Sequence, residues 1–262
     1  MSEQGKFIQA NGLNIHYTEH GEGVPLILLH GGTSTLAEWD AHIPTFSSEF
    51  HVYAMDSRGH GRTVNPSDKL SYRVMADDVA AFIQTLGLER PLICGYSDGG
   101  QIALELAIRH PGISRGLVVG AAWYKFSEAY VNALKGWGFE RPGEMDLDWL
   151  QTNHADMVES WKTDHPREGD PDYWKTFIKQ ISEMWLTPLN YTEADFHGIT
   201  DPVLIIMGDR DGMIPLSDAF EMYQMIPNAE LAILPNAEHL DVVIHPKSFI
   251  YLVMKFFRRH DE

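Results

Sequence analysis

A series of short, unbroken apolar runs constrains this chain more than any other feature: "PLILLH", "HVYAM", "PLICG", "RGLVVG", "PVLIIMG" and "ELAILP". Continuous runs of this length, without alternation, predict strands covered on both faces, as in a parallel sheet. Between and after them lie stretches with apolar residues at helical spacing. These are "TLAEWDAHIPTF", the amphipathic "SYRVMADDVAAFIQTLGL", "GGQIALELAIRH" and the closing "HPKSFIYLVMKFFRR", whose basic residues fall at the end the helix dipole favours. Ahead of the series, "FIQANGLNIHYTEHG" alternates around an Asn-Gly pair, which predicts an antiparallel hairpin at a sheet edge. Strands alternating with helices predict a doubly wound α/β fold. Its sheet has about eight strands, antiparallel only at its start, with helices on both faces.

One stretch breaks the alternation. Residues 123–197 show helical periodicity and turn signals but no strand, and hold six of the seven tryptophans, at 123, 137, 149, 161, 174 and 185. They carry 14 acidic against 7 basic side chains, a net −7. So many aromatics exclude a linker. The expected organisation is a core domain of residues 1–122 and 198–262, with 123–197 inserted as a helical cap. Most of the tryptophans are expected to dock the cap on the sheet. Trp123 and Trp185 are the candidates for contact with a substrate.

"LICGYSDGGQIALEL" poses the functional question, because a polar Ser97 stands between glycines where a buried strand meets a helix. Gly95-Tyr96-Ser97-Asp98-Gly99 fits a nucleophile elbow, a strained strand-to-helix turn where larger side chains two residues either side would collide with their neighbours. A neutral serine needs a base, and the base an orienting acid. Among 13 histidines, His239 stands in a polar loop after the last strand, beyond the carboxyl end of the sheet where ligands gather. His245, before Pro246, suits a helix cap, and His60 and His110 suit loops. The acid should follow the preceding strand, where "GDRDG" offers Asp211 first and Asp209 in reserve. For the oxyanion the expected donors are the backbone N–H groups of Asp98 and Gly32, with Thr33 as a further possibility.

Charge and cysteine content narrow the rest. A net charge of −17 opposes binding to a phosphate backbone or an anionic membrane surface, so no nucleic-acid or membrane partner is expected. The single cysteine, Cys94, excludes an internal disulfide and a cysteine-based metal cluster; a buried, inert thiol is expected. No metal or other cofactor is implied. "MSEQGKFIQA" has no apolar stretch of signal-peptide type, and a cytoplasmic location is the default expectation.

With "LLHGG", "DSRGHGRT", "GYSDGG", "MGDRDGMIP" and "PNAEH" in place, the chain resembles the α/β-hydrolase superfamily along nearly its whole length. The order Ser97, Asp211, His239 is that of the superfamily. The resemblance implies that Asp56 and Arg58 are scaffold. Serine at the elbow excludes the dehalogenases and epoxide hydrolases of this fold, which need aspartate there. The "SDGG" elbow and a cap containing "MWL" look like the valacyclovir-hydrolase, or biphenyl-hydrolase-like, group. That narrower resemblance implies hydrolysis of α-amino acid esters, with Asp98 holding the substrate ammonium. The expected activity is cleavage of a small-molecule carboxylic ester through an acyl-enzyme. A lactonase, a carbon–carbon bond hydrolase and a triad-bearing ligand receptor share the same residues.

Overall fold

The computed structural model describes residues 5–67, 69–244 and 246–261; His245 lies outside them. Eight strands form one sheet in the order β1-β2-β4-β3-β5-β6-β7-β8. The hairpin is β1 (Lys6–Ala10) and β2 (Leu13–His20), with Ile8 opposite Ile15, and β2 pairs antiparallel with β4 (Phe50–Met55). Every later pairing is parallel, through β3 (Val24–Leu29), β5 (Leu92–Tyr96), β6 (Gly116–Gly120), β7 (Val203–Gly208) and β8 (Ala229–Leu234). Strands β5, β6 and β7 are buried at every position, which is why their sequences read as unbroken apolar runs. Cys94 sits in the middle of β5 between Leu28 and Val118, and burial pushes its thiol pKa up.

Helices fill the crossovers. The amphipathic stretch forms α2 (Tyr72–Leu86), capped by the Ser71 side chain at one end and by Gly87, at φ 66°, at the other. It packs on α3 (Asp98–Arg109), which starts directly after the elbow serine. The expected helix in "TLAEWDAHIPTF" is broken in two: a 3₁₀ turn at Leu36–Trp39, then α1 (Ile43–Phe46). Pro44 explains the break, since it has no N–H to donate and its ring excludes a preceding helical turn. The C-terminal part adds α9 (Leu216–Met225), α10 (Asp241–Ile244) and α11 (Pro246–Phe257). No helix among the described residues is long and apolar enough to cross a membrane.

Between β6 and β7, which are sheet neighbours, the chain makes a helical excursion. It comprises α4 (Glu128–Gly136), α5 (Leu147–Asn153), α6 (Ala155–Asp164), α7 (Tyr173–Trp185) and α8 (Glu193–His197). The excursion leaves from β6, the sheet neighbour of the strand that carries the elbow, and returns into β7 on the far side of β6.

Two buried polar clusters fix the loops that face it. Asp56 accepts hydrogen bonds from His16 Nδ1 at 2.7 Å, Leu36 N at 2.9 Å and Arg62 N at 2.8 Å. Arg58 grips Asp78 through Nε and Nη2 at 2.8 and 2.7 Å. Both pairs are buried, as scaffold residues should be.

Candidate active site

Ser97 stands between the end of β5 and the first residue of α3 with φ 52° and ψ −116°, a strained conformation for a residue with a Cβ. The glycines around it are sterically required. A Cβ on Gly95 would lie 2.1 Å from the Gly99 carbonyl oxygen, and one on Gly99 2.0 Å from that of Leu29.

The structure brings Ser97, His239 and Asp211 together. Ser97 Oγ is 3.0 Å from His239 Nε2, and His239 Nδ1 is 2.7 Å from Asp211 Oδ2. The other Asp211 oxygen accepts from the backbone of Met213 and Ile214, both at 2.9 Å. With Oδ1 so engaged, Oδ2 faces the imidazole and takes the proton-bearing Nδ1, leaving the Nε2 lone pair for the serine hydroxyl. Tyr96, one residue before the serine, donates its hydroxyl to the His239 carbonyl at 2.8 Å and fixes the loop that carries this histidine. Asp209 stands apart, its Oδ1 accepting from Ala237 N at 3.3 Å.

A cavity of about 190 Å³ opens on Ser97 and His239. Its walls include Trp123, Tyr130, Trp137, Phe139, Trp161 and Trp185, all from the helical excursion or its entrance. Trp123 and Trp185 border this cavity, Trp137 and Trp161 join them, and Trp149 and Trp174 do not. Gly32, Thr33 and Asp98 also border the cavity. Asp98 is the first residue of α3, so its N–H has no intrahelical acceptor.

The Asp98 carboxyl is already engaged. Tyr72 donates its hydroxyl to Oδ1 at 2.8 Å, and Trp185 Nε1 lies 2.8 Å from Oδ2 and 3.0 Å from Oδ1. Gly32 makes room for this pair, because a Cβ there would come within 2.5 Å of the Trp185 ring. Burial pushes the Asp98 pKa up to about 6, against the pull of these two donors.

A second acid escaped the sequence reading. Glu38 borders the cavity and accepts from Gly31 N at 2.6 Å, and burial pushes its pKa up to about 7. Only the fold brings it beside the serine; the 3₁₀ turn that carries it looked like part of an ordinary amphipathic helix.

The α/β hydrolase fold family matches residues 24–246 of this sequence, most of its length. The chain belongs to the α/β-hydrolase fold family. This α/β hydrolase is 28% identical over 272 residues to a 2-hydroxymuconate semialdehyde hydrolase from Pseudomonas sp. strain CF600, covering 99% of this chain and 95% of that one. It is 27% identical over 237 residues to a Bacillus subtilis carboxylesterase, covering 88% and 79%. A solved meta-cleavage product hydrolase from Pseudomonas fluorescens superposes with a TM-score of 0.79 at 24% identity, over 97% of this chain and 98% of that one. These similarities establish a hydrolase of this fold and do not single out the amino-acid ester group that the elbow resembles.

Three buried histidines lie behind the cavity. His30 donates Nδ1–H to the Gly31 carbonyl at 2.7 Å while its Nε2 accepts from Ser57 N at 3.0 Å. His60 and His165 follow, with ring centroids 5.0 Å from His30 to His60 and 5.7 Å from His60 to His165. Burial lowers all three pKa values, that of His165 to about 4. An unfolded histidine titrates near 6.5, so the His165 contribution to stability is complete above about pH 6.5 and lost as pH falls towards about 4. Glu38 and Asp98 act in the opposite sense, since their folded values lie above the unfolded ones and they gain stability as pH falls from about 7. A single histidine therefore has to be isolated to see its effect. Between about pH 7.5 and about pH 5, His165→Gln is expected to lose roughly 2 kcal/mol less unfolding free energy than the wild type. Urea melts at the two pH values check this, and equal losses would contradict it.

Proposed function

We propose that the protein is a serine hydrolase of small, uncharged or cationic carboxylic esters, with Ser97, His239 and Asp211 as its triad and residues 123–197 as a lid over the core. Ser97 Oγ attacks the ester carbonyl while His239 Nε2 takes its proton. Asp211 holds the imidazole in the tautomer this requires and stabilises the imidazolium. Backbone N–H groups of Gly32 and Asp98 receive the developing oxyanion. His239 then gives the proton to the departing alcohol, and water repeats the sequence on the acyl-enzyme to release the acid and restore Ser97.

One observation carries the substrate class. The cavity wall is largely aromatic, its two carboxyl groups are Glu38 and Asp98, and no lysine or arginine lines it among the described residues. A substrate carboxylate would be desolvated there with no cation to pair with and two acids nearby. Relatives named for dienoic acids and for a muconate semialdehyde make carbon–carbon bond hydrolysis the second reading, and that wall weighs against it. A volume of about 190 Å³, under the roughly 300 Å³ at which drug-sized ligand pockets begin, favours a short acyl or alcohol group. The resemblance to amino-acid ester hydrolases adds that an α-amine would approach Asp98, sharing oxygens with Tyr72 and Trp185.

Matched esters with neutral, amine-bearing and carboxylate-bearing acyl groups test the reading. The carboxylate member is expected to have kcat/KM at least about 100-fold below the neutral one. Amine above neutral would support Asp98 as an anchor. Faster turnover of a carboxylate ester, or of a ring-cleavage dienoate, would overturn the proposal.

A further inference from the structure

The Gly31–Thr33 loop adopts a shape its sequence does not favour. Ser34 N donates to the Gly31 carbonyl at 3.3 Å, closing a four-residue turn. Gly32 lies outside the positive-φ region while Thr33, at the third position, has φ 57°. A turn with positive φ only at that position ordinarily carries glycine or asparagine there, and a β-branched residue is strained. Something outside the turn must hold it.

His30 and Glu38 hold Gly31 at the start of the turn, and the group that reaches Thr33 comes from the helical excursion. His165, at the end of α6 and 1% exposed, reaches into the core and touches both loops behind the serine. Gly61 N donates to its Nδ1 at 2.8 Å, so that nitrogen carries no proton. Its Nε2–H therefore donates to the Thr33 carbonyl, 3.1 Å away. The ring is packed on Phe177 of α7, 4.1 Å between centroids. Two residues on, Arg167 donates to the carbonyls of Gly61 at 2.8 Å and Gly59 at 3.0 Å. Arg167 thus fastens the excursion to the 59–63 turn, whereas His165 alone extends that attachment to the strained Thr33.

We propose that His165 is a positioning residue, which holds the Thr33 carbonyl and so keeps the Gly31–Thr33 loop in the conformation that binds the oxyanion. The loop's working shape then depends on the docked excursion, and the two parts of the molecule complete one site.

Asparagine and glutamine separate the two contacts of His165. The asparagine amide overlies Nδ1 and keeps the Gly61 contact alone; the glutamine amide overlies Nε2 and keeps the Thr33 contact. The readout is the maximal rate at which a fluorophosphonate modifies Ser97, with fluoride leaving. That reaction needs the nucleophile and the oxyanion donors but no particular acyl group. The inference rests on the serine-hydrolase reading, and a wild type that the probe does not label overturns both. A labelled wild type that turns over no ester overturns the ester reading alone.

His165→Asn should slow modification about tenfold or more with the half-saturating concentration unchanged, while His165→Gln stays within about threefold of wild type. Arg167→Met removes the fastening without touching Thr33, so it should lower Tm and leave the rate within about threefold. Should the asparagine variant not fold, His165→Phe keeps the ring on Phe177 and carries the same expectation. Equal losses in the Asn and Gln variants, no loss in the Asn variant, or a comparable loss in Arg167→Met would each overturn the inference.

Discussion

Ser97→Ala is expected to lower kcat by about four to six orders of magnitude while the fold stays intact. On the proposed mechanism the size follows from the way a triad works as a unit: without Ser97, His239 would have no hydroxyl to activate and no acyl-enzyme would form. What remains is the oxyanion donors and substrate binding, which alone still exceed the uncatalysed reaction. Stability should change little, because the hydroxyl lies against His239 at 3.0 Å and alanine inherits the same backbone strain. Steady-state rates beside a thermal melt decide the matter. A folded variant at wild-type rate would remove Ser97 from the mechanism.

The second large effect concerns the fold. Gly99→Ala is expected to cost about 4 kcal/mol or more, lowering Tm by roughly 8–16 °C. Its methyl would lie 2.0 Å from the Leu29 carbonyl oxygen, and no rotation relieves this, because the backbone fixes a Cβ and the atom it meets is itself backbone. Helix α3 would have to lift off β3, moving the Asp98 N–H away from the serine. Gly136→Ala is the control: a Cβ there meets nothing within 4 Å, at the last residue of α4, so it should change stability by no more than about 1 kcal/mol. Similar melts for the two variants would show that the close approach of helix and strand is not what the glycine serves.

How much was legible depended on whether a local pattern existed. Burial on both faces writes itself into β5, β6 and β7 as unbroken apolar runs, and Gly95 marks a clash with Gly99, close in the chain, whereas the clash that Gly99 avoids is with Leu29, far away in it. The helical nature of residues 123–197 was legible for the same reason. That Asp211 rather than Asp209 contacts His239 follows from the direction in which the chain leaves β7. Which tryptophans face the cavity was only half legible, because Trp137 and Trp161 have the same spacing signals as core residues. Glu38 and His165 left no local trace. His165 meets Thr33 across 132 residues of sequence, and no periodicity records a contact made by two irregular segments. The break at Pro44 was legible and was overridden by the spacing of Leu36, Trp39, Ile43 and Phe46.

The lone cysteine has a practical consequence. Cys94 is wholly covered in the central strand, three residues before Ser97. Fraying of the termini or swinging of the helical excursion leaves β5 paired with β3 and β6, so alkylating reagents reach this thiol only when the sheet itself comes apart. The protein thus carries an internal gauge of its deepest opening event, one thiol per chain. Under mild reagent, its blocking rate would weigh the stability of the sheet in the native protein, without denaturant and without an added label.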